Sequence, residues 1–280
     1  MATRLTVTAT ETTTPGLRRV WLRSDDLSAF EGSTFTDRYV KLVFPRPGVE
    51  LPGYADGTLD MKELRRTLPA EQLPVVRTYT ALFPDPSAGT LAIDFVLHGD
   101  GEGVAGPWAA AARPGDTLLA NGPGGTYAPD PAADWHLLVG DESALPAVMA
   151  ALAALPEDAV ARVVLLTQDA DHAPDLTVDL PAGATVPPGA QITVVHRGDG
   201  QTLLDAVTAL DWPAGRVDAF VHGEAEEVMH GLRPHLLKER GLERDQLSIS
   251  GYWRRGRTEE GFREWKQTLA AAEVARQAGS

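Results

Sequence analysis

The sequence predicts two domains in series, an N-terminal antiparallel β-barrel and a C-terminal α/β domain built on a parallel sheet. Short segments rich in β-branched and aromatic residues, separated by turn formers, fill the first half. After a proline-containing break, APDPAAD at 128–134, apolar strand-like runs alternate with helical ones. A length of 280 residues suits two moderate domains better than one very large core. The expected division is 1–130 for the barrel and 131–280 for the α/β domain.

In the first half the opening twelve residues are polar and are expected to fray. VWLR at 20–23 and RYVKLVFP at 38–45 are strands by composition, the second ended by Pro45. Between Pro45 and Leu73 a loop and a short helix over MKELRRTL are expected. PVVRTYTALF at 74–83 and TLAIDFVLH at 90–98 flank the turn-rich PDPSAG and predict an antiparallel hairpin. Leu91, Ile93, Phe95 and Leu97 share one face of it at period two. RPGDTLLANGPGG at 113–125 gives a turn, a strand and a glycine-rich loop. Closing such strands into a barrel removes exposed sheet edges.

In the second half WHLLVG at 135–140, RVVLLT at 162–167, QITVVHR at 191–197, VDAFVHG at 217–223 and LSISGYW at 247–253 are strand candidates. SALPAVMAALAAL at 143–155, QTLLDAVTAL at 201–210 and EAEEVMHGLRPHLLKERG at 224–241 are helix candidates. Glu224, Glu226 and Glu227 suit the positive end of the last helix, and Lys238 and Arg240 its other end. A parallel sheet of this kind takes ligands beyond the carboxyl ends of its strands. A terminal amphipathic helix with Phe262, Trp265 and Leu269 at helical spacing is expected to dock on the core.

The net charge of −14 and pI near 4.9 argue against a nucleic-acid partner, which would need a positive surface. Apolar strings are broken before membrane-spanning length and the N-terminus has no signal core, so a cytoplasmic protein without membrane insertion is expected. The absence of cysteine excludes disulfides, thiolate chemistry and cysteine-ligated clusters. The seven histidines form no metal motif, so no resident metal is expected.

Three short motifs carry chemistry. In RTYT at 77–80 a strand puts Arg77 and Tyr79 on one face, a guanidinium for a flavin phosphate and a ring for the flavin or its ribityl chain. Thr80 offers a hydroxyl at the strand end; the alternative is a solvent-facing arginine beside a core tyrosine. In GPWA, Gly106 and Pro107 precede a helical turn whose N–H groups suit a pyrophosphate, or the segment is a surface loop with Trp108 packed on the barrel. GYWRRGR sets Tyr252 and Trp253 beside Arg254, Arg255 and Arg257, either a pocket wall with cations for an anionic chelate or a solvated patch.

Taken in order, RTYT, FVLHG followed by GPWA at 95–109, ANGPGG at 120–125, LLVGDESALPAV at 137–148, FVHGEAEEV at 220–228 and ISGYWRRG at 249–256 resemble the siderophore-interacting protein family. These are FAD-containing ferric-siderophore reductases related to ferredoxin–NADP reductases, and the resemblance runs from about Arg18 through Phe262. It implies an FAD-binding barrel and a C-terminal domain like a nicotinamide-nucleotide-binding module. It places Arg77, Tyr79 and Thr80 at FAD, with His98, Gly99, Gly106, Pro107, Trp108 and Ala109 near its phosphates or ribityl chain. It implies cofactor contact at Gly140 and Trp253, with Thr80 tuning the flavin edge. Electrons would pass from NADPH, NADH or reduced ferredoxin through FAD to the Fe(III) of a ferric siderophore, with Arg254 and Arg255 as substrate contacts. Alternatives are a flavin reductase with another acceptor and a non-catalytic siderophore-binding protein. The chain departs from the family at Leu82, where a second arginine is common, at Gly124 or Gly125, where an arginine often stands, and in a shortened GPWA segment.

Overall fold

A computed structural model describes residues 2–97, 103–175, 180–181 and 184–256. The first half forms one antiparallel sheet of β1 (Thr3–Thr14), β2 (Leu17–Arg23), β3 (Tyr39–Phe44), β4 (Val75–Thr80), β5 (Leu82–Asp85), β6 (Thr90–Val96) and β7 (Thr117–Gly124), in the order β4-β3-β7-β1-β2-β6-β5. The two edge strands, β4 and β5, are consecutive in the chain and only Ala81 separates them. Ala81 donates its N–H to the Arg38 carbonyl at 2.8 Å, while Leu82 pairs with Ala92 of β6. The chain therefore stitches one edge to the other, and the sheet curls into a barrel around Leu5, Val20, Leu22, Leu42, Phe44 and Phe95.

Two expectations for this half are corrected. The polar N-terminus is not a frayed tail but β1, paired with β7 on one side and β2 on the other. Only one of its faces meets the core, so Leu5 and Val7 suffice to anchor it, and its many threonines are good strand formers. The segment 74–83 is not one arm of a hairpin either. Its first part pairs with β3 as β4, and only the part beyond Ala81 pairs with β6. The expected short helix is α1 (Met61–Thr67), capped by Asp60, whose carboxylate accepts from the N–H groups of Lys62 and Glu63 at 2.8 and 3.3 Å. α2 (Ala105–Ala111) packs on the barrel core through the buried Ala105 and Ala109.

The second half is a parallel sheet of β8 (Trp135–Asp141), β9 (Val160–Thr167), β10 (Gly189–His196), β11 (Val217–Glu224) and β12 (Leu247–Trp253), in the order β10-β9-β8-β11-β12. α3 (Leu145–Ala153) packs on one face, and α4 (Leu203–Thr208) with α5, a helix over 225–239, packs on the other. β8 and β11 are buried along their whole length, which is why they are nearly continuous apolar runs. α5 widens into π-type turns at Glu227–Leu232 and His235–Glu239 on either side of Pro234, a residue with no N–H to continue the regular ladder. At its end Arg240 caps the Thr208 carbonyl at 3.2 Å and lies over the Trp212 ring at 4.6 Å. The direction of the connections reverses between β8 and β11, the point at which such sheets open a crevice for ligands.

The two sheets share a packed seam. Leu17 and Val96 of the barrel join the apolar cluster under α3. Between the sheets Tyr127 receives support from both: Asp37 accepts its N–H at 2.9 Å, and its hydroxyl donates to Asp218 at 2.9 Å while its ring lies 4.8 Å from Phe220. Burial, and then the charge of Asp218, push the Tyr127 phenol far up. Among the described residues no helix is long and apolar enough to cross a membrane. No group of three or more His, Asp or Glu able to hold a metal ion occurs among them either.

Candidate functional site

On the barrel side, β4 presents Arg77 and Tyr79 on the face shared with Val75, as its period-two pattern requires. Tyr79 packs on the core with its ring 4.6 Å from Phe95, and Arg77 donates to the Val76 carbonyl at 3.1 Å. Thr80 is buried opposite Tyr39 at the end of the strand. The residue just before β3 is Arg38, which the motifs did not single out. It is half-buried, burial lowers its pKa, and no carboxylate offsets that charge among the described residues. Its Nε donates to the Phe35 carbonyl at 2.5 Å. The signal for Arg38 was its place just before the strand that pairs with RTYT, a pairing hidden by the expected hairpin.

The GPWA segment divides. Pro107 lies in the first turn of α2, as expected. At Gly106 a Cβ would stand 3.2 Å from the Val96 carbonyl oxygen, so glycine lets the helix seat closely on β6. Trp108 is a barrel side chain, 6.0 Å from Phe44 and 5.6 Å from Phe95 by ring centres. Ala109 is fully buried in the same cluster. His98 and Gly99 lie outside the described residues, as do Arg257 and the expected terminal helix.

The departures have structural counterparts. Leu82 is buried at the seam with Leu145, Pro146 and Met149 of α3. The buried guanidinium of that region is Arg19, bidentate to Asp94 at 2.7 and 2.8 Å. A side chain at Gly124 would run into the Tyr39 ring, and a Cβ at Gly125 would come within 2.7 Å of the Phe35 Cβ. These two glycines thus form a floor under two aromatic residues.

On the sheet side, the carboxyl ends of β8 and β11 are crowded with carboxylates. Asp141 is buried and accepts from Ser143 and Ala144 at the start of α3 and from the Trp253 indole. Burial raises its pKa, against the opposing hydrogen bonds from Ser143 and Trp253. Glu142 pairs with Arg197 at 3.2 Å. Glu224 accepts the Glu227 N–H at 3.0 Å, and Glu227 itself accepts the Leu203 N–H at 2.5 Å. Burial raises the Glu227 pKa as well. Gly140 serves packing here: a Cβ would lie 2.9 Å from the Ala144 Cβ and 3.0 Å from Val148. Of the two substrate candidates, Arg254 pairs with Glu226 at 3.0 Å, and Arg255 is exposed with its N–H donated to Glu224 at 3.1 Å.

Tyr252 extends from β12 onto His222, with ring centres 4.8 Å apart. Burial, and then the negative charge of Asp37, raise its pKa. Donor chemistry decides whether FAD fits between these surfaces. Its phosphates need cations, and the barrel offers two, Arg77 on β4 and Arg38 just before β3. Its ring system needs aromatic and hydroxyl neighbours, and Tyr79, Thr80, Tyr252 and Trp253 are of that kind. The residues present fit the group.

An antiparallel barrel followed by a parallel sheet whose connections reverse between β8 and β11 is the architecture of a two-domain flavin oxidoreductase. Residues 6–127 match the family model described as the siderophore-interacting FAD-binding domain, and residues 133–256 match the one described as siderophore-interacting protein. Ferric vibriobactin reductase ViuB of Vibrio cholerae is 33% identical over 90% of this chain and 89% of its own. The uncharacterized protein Rv2895c of Mycobacterium tuberculosis is 45% identical over 96% of this chain and 95% of its own. The crystal structure of a siderophore utilization protein from T. fusca superposes with a TM-score of 0.71 at 34% identity, covering 92% of this chain and 94% of that one. The chain belongs to the siderophore-interacting protein family. It is an FAD-dependent oxidoreductase whose general reaction is the FAD-mediated reduction of a ferric siderophore.

Proposed function

We propose that Arg77 and Arg38 hold the anionic part of FAD on the barrel, and that Thr80 and Trp253 border its ring from the two sheets. The observation that carries this is the pairing of β3 with β4, in which Tyr39 stands opposite Thr80 and the Arg38 carbonyl accepts the Ala81 N–H at 2.8 Å, so that Arg38 adjoins the end of the RTYT strand. FAD, when bound, supplies the redox chemistry, taking electrons from a donor and passing them singly to ferric iron. The chain's own work is to bind, orient and exclude water. Arg77 and Arg38 neutralise phosphate charge, Tyr79 gives β4 a rigid seat on the barrel core, and Thr80 offers a hydroxyl at the strand end. Gly106 and Pro107 set the close approach of α2, with His98 and Gly99 assigned to the phosphates by family resemblance alone. Domains of 1–130 and 131–280 accompany this division of labour.

The substrate side is assigned to Arg254 and Arg255, of which the exposed Arg255 is the cation more open to an anionic chelate. NADPH or NADH is the donor favoured by the reversal point between β8 and β11. Reduced ferredoxin is the second reading, favoured by the carboxylates Asp141, Glu142, Glu224 and Glu227, which repel a diphosphate from that same end. The reaction serves intracellular iron acquisition in the cytoplasm. Arg77→Met and Arg38→Met, titrated with FAD by fluorescence, are each expected to weaken binding by about tenfold, the worth of one charged hydrogen bond. Unchanged affinity in both variants would move the cofactor away from β3 and β4.

A further inference from the structure

The buried Asp141 carboxylate is surrounded by donors on both oxygens. Oδ1 accepts from the Ser143 N–H at 2.9 Å, the Ser143 hydroxyl at 2.5 Å and the Ala144 N–H at 3.3 Å. Those contacts are local and shape the turn from β8 into α3. Oδ2 accepts from the Trp253 indole Nε1–H at 2.7 Å, a partner 112 residues away. This bond ties the end of β12 to the end of β8 across β11, which lies between them in the sheet.

The backbone of β11 and β12 is shaped to permit that reach. Gly223, at φ +153°, crosses the carboxylate so closely that a Cβ would stand 3.0 Å from both Cγ and Oδ2 of Asp141. At the same point the register slips. Gly223 pairs with Gly251 and Glu224 with Trp253, leaving Tyr252 as an extra residue on β12. Such a bulge re-aims side chains, and here Tyr252 lies on His222 while Trp253 turns to Asp141. Glu224 then takes the Arg255 N–H at 3.1 Å and fixes the next step of the chain.

We infer that Asp141 is a positioning residue for the reaction: its Oδ2 fixes the Trp253 indole, and with it the aromatic end of β12, against the flavin site. The inference rests on the proposed place of Trp253 beside the flavin. A charged acceptor holds an indole N–H more firmly than a neutral one. Only a carboxylate accepts on both sides at once. Asparagine has one acceptor atom and one donor group, so Asp141→Asn loses either the turn or the indole.

The test uses the full chain, apo and FAD-loaded. In the apo protein the Trp253 indole N–H resonance, assigned by its loss in Trp253→Phe, is expected to be protected from solvent exchange. In Asp141→Asn its exchange is expected to speed up by about tenfold. In the loaded protein Trp253→Phe and Asp141→Asn are expected to move the flavin absorption envelope and midpoint potential in the same direction. The double variant should add nothing beyond Trp253→Phe. If Trp253→Phe leaves the flavin properties at their wild-type values, the placement of Trp253 beside the flavin is wrong. If Trp253→Phe moves them and a folded Asp141→Asn does not, positioning by Asp141 is overturned. The wild-type exchange measurement needs no variant to fold, and a freely exchanging indole there refutes the inference alone.

Discussion

The barrel and the parallel sheet treat charge in opposite ways. The barrel carries half-buried guanidinium groups at Arg77 of β4 and at Arg38 just before β3, and pairs the buried Arg19 with Asp94. The end of the parallel sheet gathers Asp141, Glu142, Glu224 and Glu227, and turns three of them on its own helix starts. Asp141 serves α3, Glu224 the first turn of α5, and Glu227 the Leu203 N–H of α4. The difference teaches that an anionic cofactor is matched by the barrel, whereas the sheet end is built to hold its own loops and the aromatic arm of β12.

The sharpest way to break that comparison is to unbalance the barrel's buried pair. Arg19 and Asp94 have side chains only 4% exposed, so Arg19→Met leaves a buried carboxylate without its partner. A loss of about 4 kcal/mol is expected by chemical denaturation, with Arg19→Met/Asp94→Leu returning close to wild type. A single variant near wild-type stability would show that the pair is not desolvated. The next effect tests whether the N-terminal strand belongs to the barrel. Leu5, 1% exposed in the core, is expected to cost about 3 kcal/mol on truncation to alanine, whereas a frayed tail would give no change.

The smallest effect concerns pH, and its sign differs between the halves. In the barrel, hydrogen bonds from Ser28 to Asp26, from Lys62 and Glu63 to Asp60, and from Ser87 to Asp85 lower those pKa values. Their stabilisation is present above the unfolded carboxylate pKa and is lost as pH falls through the depressed folded values. Asp141 and Glu227 are raised by burial, so their contribution is complete below the unfolded pKa and is lost as pH rises through the raised values. Hydrogen exchange is expected to show the barrel turns tightening as pH rises through the depressed carboxylate values in the acid range, and the sheet end loosening as pH rises further, through the raised values of Asp141 and Glu227. A shift of the same sign in both halves would contradict the contrast.

The parallel half was the more legible in sequence for a physical reason. β8 and β11 are covered on both faces, so burial writes continuous apolar runs. A barrel strand is covered on one face only, and in β1 two apolar residues among many threonines looked like a tail. RTYT was found as a motif, but its pairing with β3 was not, and Arg38 was missed with it. Trp108 and Ala109 carried family weight in sequence, which did not show how they pack: Ala109 lies buried in the barrel core, and Trp108 is partly buried against it. The Asp141 to Trp253 bond was beyond reach because it joins distant residues through a bulge, which no local pattern announces.

The central claim is tested most directly by following the flavin spectrum anaerobically. The FAD-loaded protein is reduced with NADPH, NADH, reduced ferredoxin or dithionite, and then given a ferric siderophore with an Fe(II) trap. The account predicts that the bleached flavin band returns on adding the ferric siderophore, in step with trapped Fe(II). Failure to retain FAD, or a reduced flavin that stays bleached while the iron stays ferric, would contradict it.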